Sequence, residues 1–297
     1  MALKLLVLND PAARYLRHLA QLPDEVDIVA GHRRETFERH LRDAAVVFVG
    51  MGSAELFRQL WPSLRGVRWV HSLAAGVEGL LIPDFAASDV PLTNSRGVFA
   101  RSLAEFVIAG VLFFAKDLRR MLRNQQAGVW EPFDVEELTG RTMGIVGYGE
   151  IGRAAAVRAK ALGMRVIAVR RRAGESDGVA EKLLPPEAVL ELVKESDYVV
   201  AAAPLTPSTR GMIGAREFAA MKPSAVFINV GRGPVVDEQA LVEALATRRI
   251  RGAALDVFEQ EPLPAGHPFW SMEHVLLSPH CADHTETWLD EAMELFL

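Results

Sequence analysis

Short apolar runs alternate with amphipathic stretches along most of this chain. Strands that alternate with helical patterns are typical of parallel βα units. The strands predicted in the first part lie at residues 4–9, 26–30, 46–49 and 67–73. Those predicted in a second series lie at residues 142–146, 165–169, 198–202, 225–229, 252–255 and 274–277. The pattern therefore predicts an α/β fold with two parallel sheets.

Residues 101–126 form one long helical pattern between the two series, and residues 106–114 within it are almost entirely apolar. A helix that is apolar nearly all round is buried on several sides. We therefore expect a single helix here, placed between two domains or at a subunit interface. Its apolar run is about half the length that a bilayer requires, so we expect no membrane span.

A glycine-rich loop follows the predicted strand 142–146 and precedes a helical pattern at residues 153–162. It reads Gly147-Tyr148-Gly149-Glu150-Ile151-Gly152. In this context the first glycine permits a tight turn, the second lets the backbone approach a pyrophosphate, and the third lets helix and strand pack closely. The helix N-terminus adds N–H groups that favour phosphate. The loop predicts a dinucleotide site, with a ligand-free βα turn as the alternative.

Arg170, Arg171 and Arg172 follow the next predicted strand. In NAD sites a carboxylate normally stands there and accepts hydrogen bonds from the ribose 2′-hydroxyl. A guanidinium binds a 2′-phosphate bidentately, whereas an acid repels it. The sequence therefore favours NADP(H), with NAD(H) as the less preferred cofactor. Because the chain has 27 arginines against six lysines, a solvated arginine cluster is the alternative.

Composition narrows the function classes. With 297 residues, of which 50% are hydrophobic, the chain is long enough for two domains. The net charge of −5 gives no electrostatic reason to expect nucleic acid or an anionic membrane as partner. One cysteine excludes an internal disulfide framework and a cysteine-based metal cluster. Residues 1–10 are interpreted as a strand and not a signal peptide. We expect a cytoplasmic protein without a metal.

Arg232, Glu261 and His280 lie in distant segments whose local contexts suggest one active site. A guanidinium, a carboxylate and an imidazole can together hold a 2-keto acid and protonate its carbonyl group. None of the three residues alone would indicate an active site. Their order, downstream of the glycine-rich loop, makes the interpretation specific.

With these segments in place, the chain resembles the D-isomer-specific 2-hydroxyacid dehydrogenase family. The resemblance rests on the glycine-rich loop, on Asn229-Val230-Gly231-Arg232-Gly233 and on Ser278-Pro279-His280, with support from residues 204–207 and 254–258. It runs nearly end to end. The arginines after Val169 are most similar to the NADPH-dependent glyoxylate/hydroxypyruvate reductase branch.

The resemblance implies two Rossmann-like or flavodoxin-like domains with parallel sheets and an active-site cleft between them. Residues 1–97, completed by the last helix at 280–297, would bind substrate, and residues 98–279 would bind the dinucleotide. It also implies a homodimer formed through the nucleotide domain. Members of the family usually continue for about 20 to 30 residues beyond the last helix, and the sequence leaves open whether this chain is truncated.

The resemblance assigns roles as well. Arg232 would bind the substrate carboxylate, His280 would be the general acid, and Glu261 would fix the tautomer of His280. Further substrate contacts would come from Ala74, Ala75, Gly76 and Trp130. Cofactor contacts would come from the glycine-rich loop, the three arginines, Pro204, Thr209, Val230 and Asp256.

Simpler roles remain open for several of these residues. Glu259 and His284 are rivals of Glu261 and His280, and Asp256 could equally cap a helix or loop. The loop at residues 74–76 could be a plain turn, and Trp130 could serve packing alone.

The predicted reaction is the NADPH-dependent reduction of a small 2-keto acid, such as glyoxylate or hydroxypyruvate, to the D-2-hydroxy acid. The alternatives are a D-3-phosphoglycerate dehydrogenase-like enzyme and a nucleotide-sensing, co-repressor-like binding protein.

Overall fold

The computed structural model describes residues 3–172 and 174–297, which divide into two compact units. The first unit comprises the described residues up to Phe99 together with Thr285–Leu297, and the second comprises Ala100–His284. Both units are α/β with parallel strands, as the hydrophobic pattern predicts. The last segment of the chain thus completes the unit with which the chain begins.

Among the described residues of the first unit, five parallel strands form a sheet in the order β2-β1-β3-β4-β5. The strands are β1 (Leu3–Leu8), β2 (Val26–Gly31), β3 (Val46–Val49), β4 (Trp69–Ser72) and β5 (Leu92–Asn94). The helices are α1 (Arg34–Phe37), α2 (Ala54–Leu60), α3 (Pro83–Ala86) and α10 (Trp288–Phe296), with 3-10 turns at Arg14–Gln21 and Trp61–Ser63. Every residue of β3 is buried, because both faces of a parallel sheet are covered.

The last helix, α10, is held to this sheet by an aromatic cluster. The Phe296 ring lies 4.8 Å from the ring of Phe48, 5.0 Å from His71 and 5.3 Å from Trp69, measured between centroids. Asp290 of α10 also accepts a hydrogen bond from the Arg17 guanidinium at 2.7 Å. These contacts explain why the end of the chain returns to the first unit.

In the part of the second unit that the structure describes, seven parallel strands form a sheet in the order β12-β11-β10-β9-β6-β7-β8. The strands are β6 (Thr142–Val146), β7 (Arg165–Val169), β8 (Lys182–Leu184), β9 (Tyr198–Ala201), β10 (Val226–Asn229), β11 (Gly252–Leu255) and β12 (Val275–Leu277). The helices are α4 (Ala100–Ala115), α5 (Leu118–Ala127), α6 (Glu150–Ala161), α7 (Val189–Glu195), α8 (Ala215–Ala220) and α9 (Glu238–Ala246), with 3-10 turns at Pro186–Ala188, Gly233–Val235 and Pro268–Ser271. The strand order reverses between β6 and β9.

The single helix expected at residues 101–126 is wrong, because the chain forms α4 and α5 instead. Asp117 lies between them in the left-handed conformation, with φ 46°, which an α-helix cannot contain. Its side chain accepts a hydrogen bond from the backbone N–H of Arg120 at 3.4 Å and so caps α5. The three-residue strands β5 and β8 were also not predicted, since such short runs carry little pattern.

Helix α4 packs closely on the second sheet at Gly110. A Cβ on this residue would press on the side chains of Ala254 and Ile228. Other positions of α4, among them Phe106, Ile108 and Phe113, are only partly buried. No helix formed by residues 3–172 or 174–297 is long and apolar enough to cross a membrane.

Candidate active site

The loops that carry the predicted site residues of the second unit follow the carboxyl ends of its strands. The glycine-rich loop follows β6, the three arginines follow β7, and the loop at residues 203–209 follows β9. Arg232 comes after β10, Asp256 directly after β11 and His280 after β12. Ligands of open parallel sheets bind at this edge, where the strand order reverses. The fold therefore brings these segments to the edge at which a dinucleotide is expected.

His280 and Glu261 form a direct hydrogen-bonded pair. The His280 Nδ1 atom lies 2.6 Å from Oε2 of Glu261, and Oε1 of Glu261 accepts the backbone N–H of Phe258 at 2.9 Å. The two side chains are 43% and 34% exposed. A carboxylate accepts only from a protonated nitrogen, so it fixes the tautomer with the proton on Nδ1 and leaves Nε2 for a ligand. One carboxylate oxygen of Glu261 thus contacts the imidazole, and the other is fixed by the backbone of Phe258.

The loop that carries His280 is organised by Asp256, which is 1% exposed. One oxygen, Oδ1, accepts hydrogen bonds from the Ser278 hydroxyl at 2.6 Å and from the backbone N–H groups of Cys281 and Ala282, both at 3.1 Å. His280 itself has φ 53°, in the left-handed region that non-glycine residues rarely adopt. The Asp256 carboxylate therefore holds both sides of the strained residue. This is the loop-capping role that the sequence left open, and a contact with cofactor stays a prediction.

Arg232 is set between two glycines that permit close backbone packing. A Cβ on Gly231 would press on the carbonyl oxygen of Ala203, and one on Gly233 would overlap the carbonyl group of Phe258. The guanidinium of Arg232 donates to the carbonyl of Gly231 at 2.8 Å, and its side chain is partly buried. The Gly233 contact places the backbone next to Arg232 against the segment that leads to Glu261.

The glycine-rich loop has the shape that a pyrophosphate requires. Gly147 has φ 101°, and a Cβ there would collide with the backbone of Ala202 and Ala203. A Cβ on Gly152 would collide with the carbonyl of Gly147, whereas one on Gly149 would meet no described atom within 4 Å. Open space thus lies beside Gly149 at the N-terminus of the twelve-residue helix α6. Tyr148, Glu150 and Ile151 complete this loop.

The loop after β9 is closed by Thr209. Its hydroxyl donates to the carbonyl of Pro204 at 2.6 Å and accepts the backbone N–H of Thr206 at 2.8 Å. Val230 lies buried at the end of the neighbouring strand, where its N–H donates to Ala201 at 3.0 Å. Thr209 thus closes the loop that follows Ala203, whose backbone lies against Gly147. Cofactor contacts by Pro204, Thr209 and Val230 stay predictions.

The three arginines form a tight turn at the end of β7. The Arg170 Nε atom donates to the carbonyl of Arg172 at 2.6 Å, which fixes the turn. Arg171 and Arg172 are exposed. Within the described chain, neither has a carboxylate at ion-pair distance. Their charge is therefore not neutralised by a neighbouring acid.

In the first unit, Ala74, Ala75 and Gly76 follow β4 and are half-buried. The amide Nδ2 of Asn94, at the end of β5, donates to the carbonyl of Ala75 at 2.5 Å. This bond orients the peptide groups of the loop. Asn94 was not predicted from the sequence, although its place at the end of a strand could have indicated it.

Trp130 is 97% exposed. It lies in the segment at residues 128–139, which follows α5 and has no helix or strand. The alternative that Trp130 serves packing within its own chain is therefore wrong. Val129 and Val135 of the same segment are exposed as well.

Two further ionisable residues follow His280. The Oδ1 atom of Asp283 is buried and meets no hydrogen-bonding group of the described residues, and it lies 3.8 Å from Nε2 of His284. Burial raises the pKa of Asp283, and the nearby His284 partly opposes this. Across residues 3–172 and 174–297, no three or more His, Cys, Asp and Glu side chains are grouped so that they could hold a metal ion.

Known proteins are similar to this chain over most of its length. The NAD binding domain of the D-isomer specific 2-hydroxyacid dehydrogenases matches residues 108–282. A D-3-phosphoglycerate dehydrogenase of Methanocaldococcus jannaschii is 31% identical over 95% of this chain, which spans only 54% of that relative. A glyoxylate/hydroxypyruvate reductase B of Salmonella newport is 35% identical over 84% of this chain and 79% of its own.

A crystal structure of a D-isomer specific 2-hydroxyacid dehydrogenase from Xanthobacter autotrophicus, in complex with NADPH and MES, is 30% identical. It has a TM-score of 0.86 and covers 100% of this chain and 93% of its own. The fold and the glycine-rich loop thus define an α/β protein with a NAD-binding domain. The chain belongs to the D-isomer specific 2-hydroxyacid dehydrogenase family, which confirms the resemblance drawn from the sequence.

Proposed function

We propose that the protein reduces a small 2-keto acid to the 2-hydroxy acid with NADPH, giving the D isomer where the product is chiral, and that glyoxylate and hydroxypyruvate are its leading substrates. The observation that carries this proposal is the 2.6 Å hydrogen bond between His280 and Glu261. It presents Nε2 of an oriented imidazole in the unit that also holds Arg232 and the glycine-rich loop. The naming of a Salmonella relative as a glyoxylate/hydroxypyruvate reductase supports the choice of substrates.

The chemistry assigned to each side chain follows from its atoms. The Arg232 guanidinium binds the planar substrate carboxylate with its two parallel N–H groups. The loop of Ala74, Ala75 and Gly76 keeps its proposed role in substrate binding. Bound NADPH supplies the hydride. As the imidazolium, His280 donates the proton on Nε2 to the substrate carbonyl oxygen and is left as the neutral ring with its proton on Nδ1, which Glu261 holds in place.

The cofactor preference is proposed from the end of β7. An exposed guanidinium without a neighbouring carboxylate can bind a 2′-phosphate, and no acid stands among Arg170, Arg171 and Arg172 to bind a ribose 2′-hydroxyl. The NADPH found with the Xanthobacter enzyme supports this assignment.

A homodimer formed through the second unit is also part of the proposal. Leu118, Met121 and Leu122 of α5 are exposed, as are Val129 and Trp130 just beyond it. Exposed apolar residues that cluster along one segment mark interaction surfaces. We propose that a second copy covers them and that Trp130 shapes substrate choice in the partner.

Oxidation of NADPH and of NADH, followed at 340 nm with glyoxylate and with hydroxypyruvate, tests the proposed reaction. We expect turnover with both acids and a higher kcat/KM with NADPH. Nucleotide binding without turnover on these acids would instead favour the co-repressor-like protein.

A second candidate is a D-3-phosphoglycerate dehydrogenase-like activity, which the similarity over 95% of the chain favours. It predicts NAD reduction with 3-phosphoglycerate. Turnover of that substrate with NAD, at a higher kcat/KM than glyoxylate with NADPH, would replace the first proposal.

A further inference from the structure

The segment between β7 and β8 is tied to the glycine-rich loop by Asp177, a residue that the roles above do not use. We name this segment, residues 170–172 and 174–181, the arginine loop. The Tyr148 hydroxyl donates to the Asp177 carboxylate, at 3.2 Å from Oδ1 and 3.1 Å from Oδ2. The Nε atom of Arg153, on the first turns of α6, donates to Oδ2 at 3.1 Å. One carboxylate thus connects the arginine loop to both parts of the phosphate-binding element.

Asp177 also organises the arginine loop from within. Its Oδ1 atom accepts the backbone N–H groups of Val179 at 3.0 Å and Ala180 at 3.1 Å. Lys160, near the end of α6, donates to the carbonyl of Gly178 at 2.5 Å. The two ends of α6 therefore both hold the same turn.

The charges in this cluster are complementary. Burial raises the pKa of Tyr148 to about 12, and the hydrogen bond to Asp177 adds to the rise. The hydroxyl therefore stays protonated and acts as a hydrogen-bond donor. Burial opposes ionisation of Asp177, but the bonds from Val179, Ala180, Tyr148 and Arg153 outweigh it and lower its pKa to about 2. The carboxylate is therefore charged throughout the neutral range.

We propose that Asp177 is a positioning residue for cofactor choice, which holds the arginine loop at the glycine-rich loop so that Arg170, Arg171 and Arg172 meet a nucleotide 2′-phosphate. The inference rests on the proposed use of NADPH. Asp177 acts through Tyr148 and Arg153 and does not touch the nucleotide. A phosphate group carried on the 2′-oxygen needs the arginines at a fixed distance from the pyrophosphate loop, which a loosely held turn cannot provide.

Simple electrostatics predicts the opposite effect of Asp177 on the binding of a 2′-phosphate. An acid near a phosphate site repels the phosphate, so its removal should strengthen binding. The positioning role predicts that loss of the Asp177 charge weakens binding instead. Glu175, an exposed acid of the same loop, provides the matched control because Glu175→Gln removes the same charge without touching the cluster.

The test uses the full chain with Asp177→Asn, Tyr148→Phe and Glu175→Gln. Calorimetry with 2′,5′-ADP and with 5′-AMP reports the 2′-phosphate separately from the rest of the nucleotide, and thermal melting verifies folding. For Asp177→Asn we expect about tenfold weaker binding of 2′,5′-ADP, the scale of one charge-assisted hydrogen bond. Tyr148→Phe should also weaken the binding of 2′,5′-ADP. In these two variants the binding of 5′-AMP should change less than about twofold. Glu175→Gln should not weaken the binding of either ligand.

The kinetic counterpart is a rise of the KM for NADPH in Asp177→Asn with kcat retained at saturation. Unchanged or tighter 2′,5′-ADP binding in that variant would overturn the inference, and so would an equal loss of 5′-AMP binding. Failure of the proposed function has a different signature. The native protein would then bind 5′-AMP as tightly as 2′,5′-ADP. That result would overturn both the proposed use of NADPH and the proposed role of Asp177.

Discussion

His280 has a backbone conformation that a non-glycine residue adopts only when its surroundings impose it. Such a conformation costs on the order of 1–3 kcal/mol. The structure offsets this cost through Asp256, whose Oδ1 atom accepts from Ser278, Cys281 and Ala282 on either side. Strain of this kind is typical of functional sites, because it directs a side chain where relaxed geometry would not.

At the residue scale, we predict that Asp256→Ala destabilises the second unit and lowers kcat. The substitution leaves the buried Ser278 hydroxyl and two partly buried N–H groups without an acceptor, which costs about 2–3 kcal/mol. Asp256→Asn keeps an oxygen at the same place, so its loss of unfolding free energy should be less than half that of the alanine variant. Urea denaturation and steady-state kinetics measure the two effects. Native-like stability of the alanine variant would show that the loop holds its conformation without Asp256.

Individual site residues differ in how far the sequence could predict them. The sequence could predict Arg232, Glu261 and His280, because each lies in a short segment that resembles a segment of the family. The pairing of Asp177 with Tyr148 spans 29 residues, and that of Asn94 with Ala75 spans 19. Such pairings depend on how loops of different strands meet, and nothing in the local pattern records them.

At the scale of elements, the strands followed from the hydrophobic pattern because buried parallel strands are short, continuous apolar runs. The helical pattern at residues 101–126 misled because its periodicity continues past the break. Asp117 carries the missing signal, since aspartate is a favoured N-cap residue. The start of α5 is thus indicated by the capping residue and not by the hydrophobic periodicity.

The contact between α10 and the first sheet should depend on pH through His71. The His71 Nε2 atom is buried and has no hydrogen-bond partner in the described parts of the chain, and the rings of Phe48 and Phe296 flank the imidazole. Burial lowers the pKa of His71 to about 4, so the folded state favours the neutral ring. The unfolded chain binds the proton near pH 6.5. The stabilisation is therefore complete above that pH and is lost progressively as the pH falls toward 4.

We predict that His71→Phe reduces the loss of urea stability between pH 7.5 and pH 5. Phenylalanine keeps the aromatic packing and has no proton to bind. The exposed His32 of the same unit provides the control, since His32→Gln should keep the pH dependence of the native protein. An identical pH dependence in His71→Phe and the native protein would exclude His71 as the cause.

At the scale of the whole molecule, the exposed residues of α5 and the segment beyond it predict a dimer. Sedimentation or light scattering should give twice the chain mass of 32.6 kDa at micromolar concentration. Met121→Glu with Leu122→Glu should shift the protein toward monomers, because two charges would have to be desolvated in the interface. The control is Val157→Glu, at another exposed apolar position of the second unit. A native protein that sediments as a monomer would contradict the dimer proposal.

We propose that His280, oriented by Glu261, delivers the proton in keto-acid reduction. The most direct test is kcat for glyoxylate reduction by His280→Gln, Glu261→Gln and the double variant, at saturating NADPH. We predict a loss of about 10²–10⁴ for His280→Gln, the scale of general acid catalysis. Glu261→Gln should lose less, and the double variant should lose no more than His280→Gln, because Glu261 acts through His280. A loss below about tenfold in His280→Gln, with NADPH binding intact, would show that His280 is not the general acid.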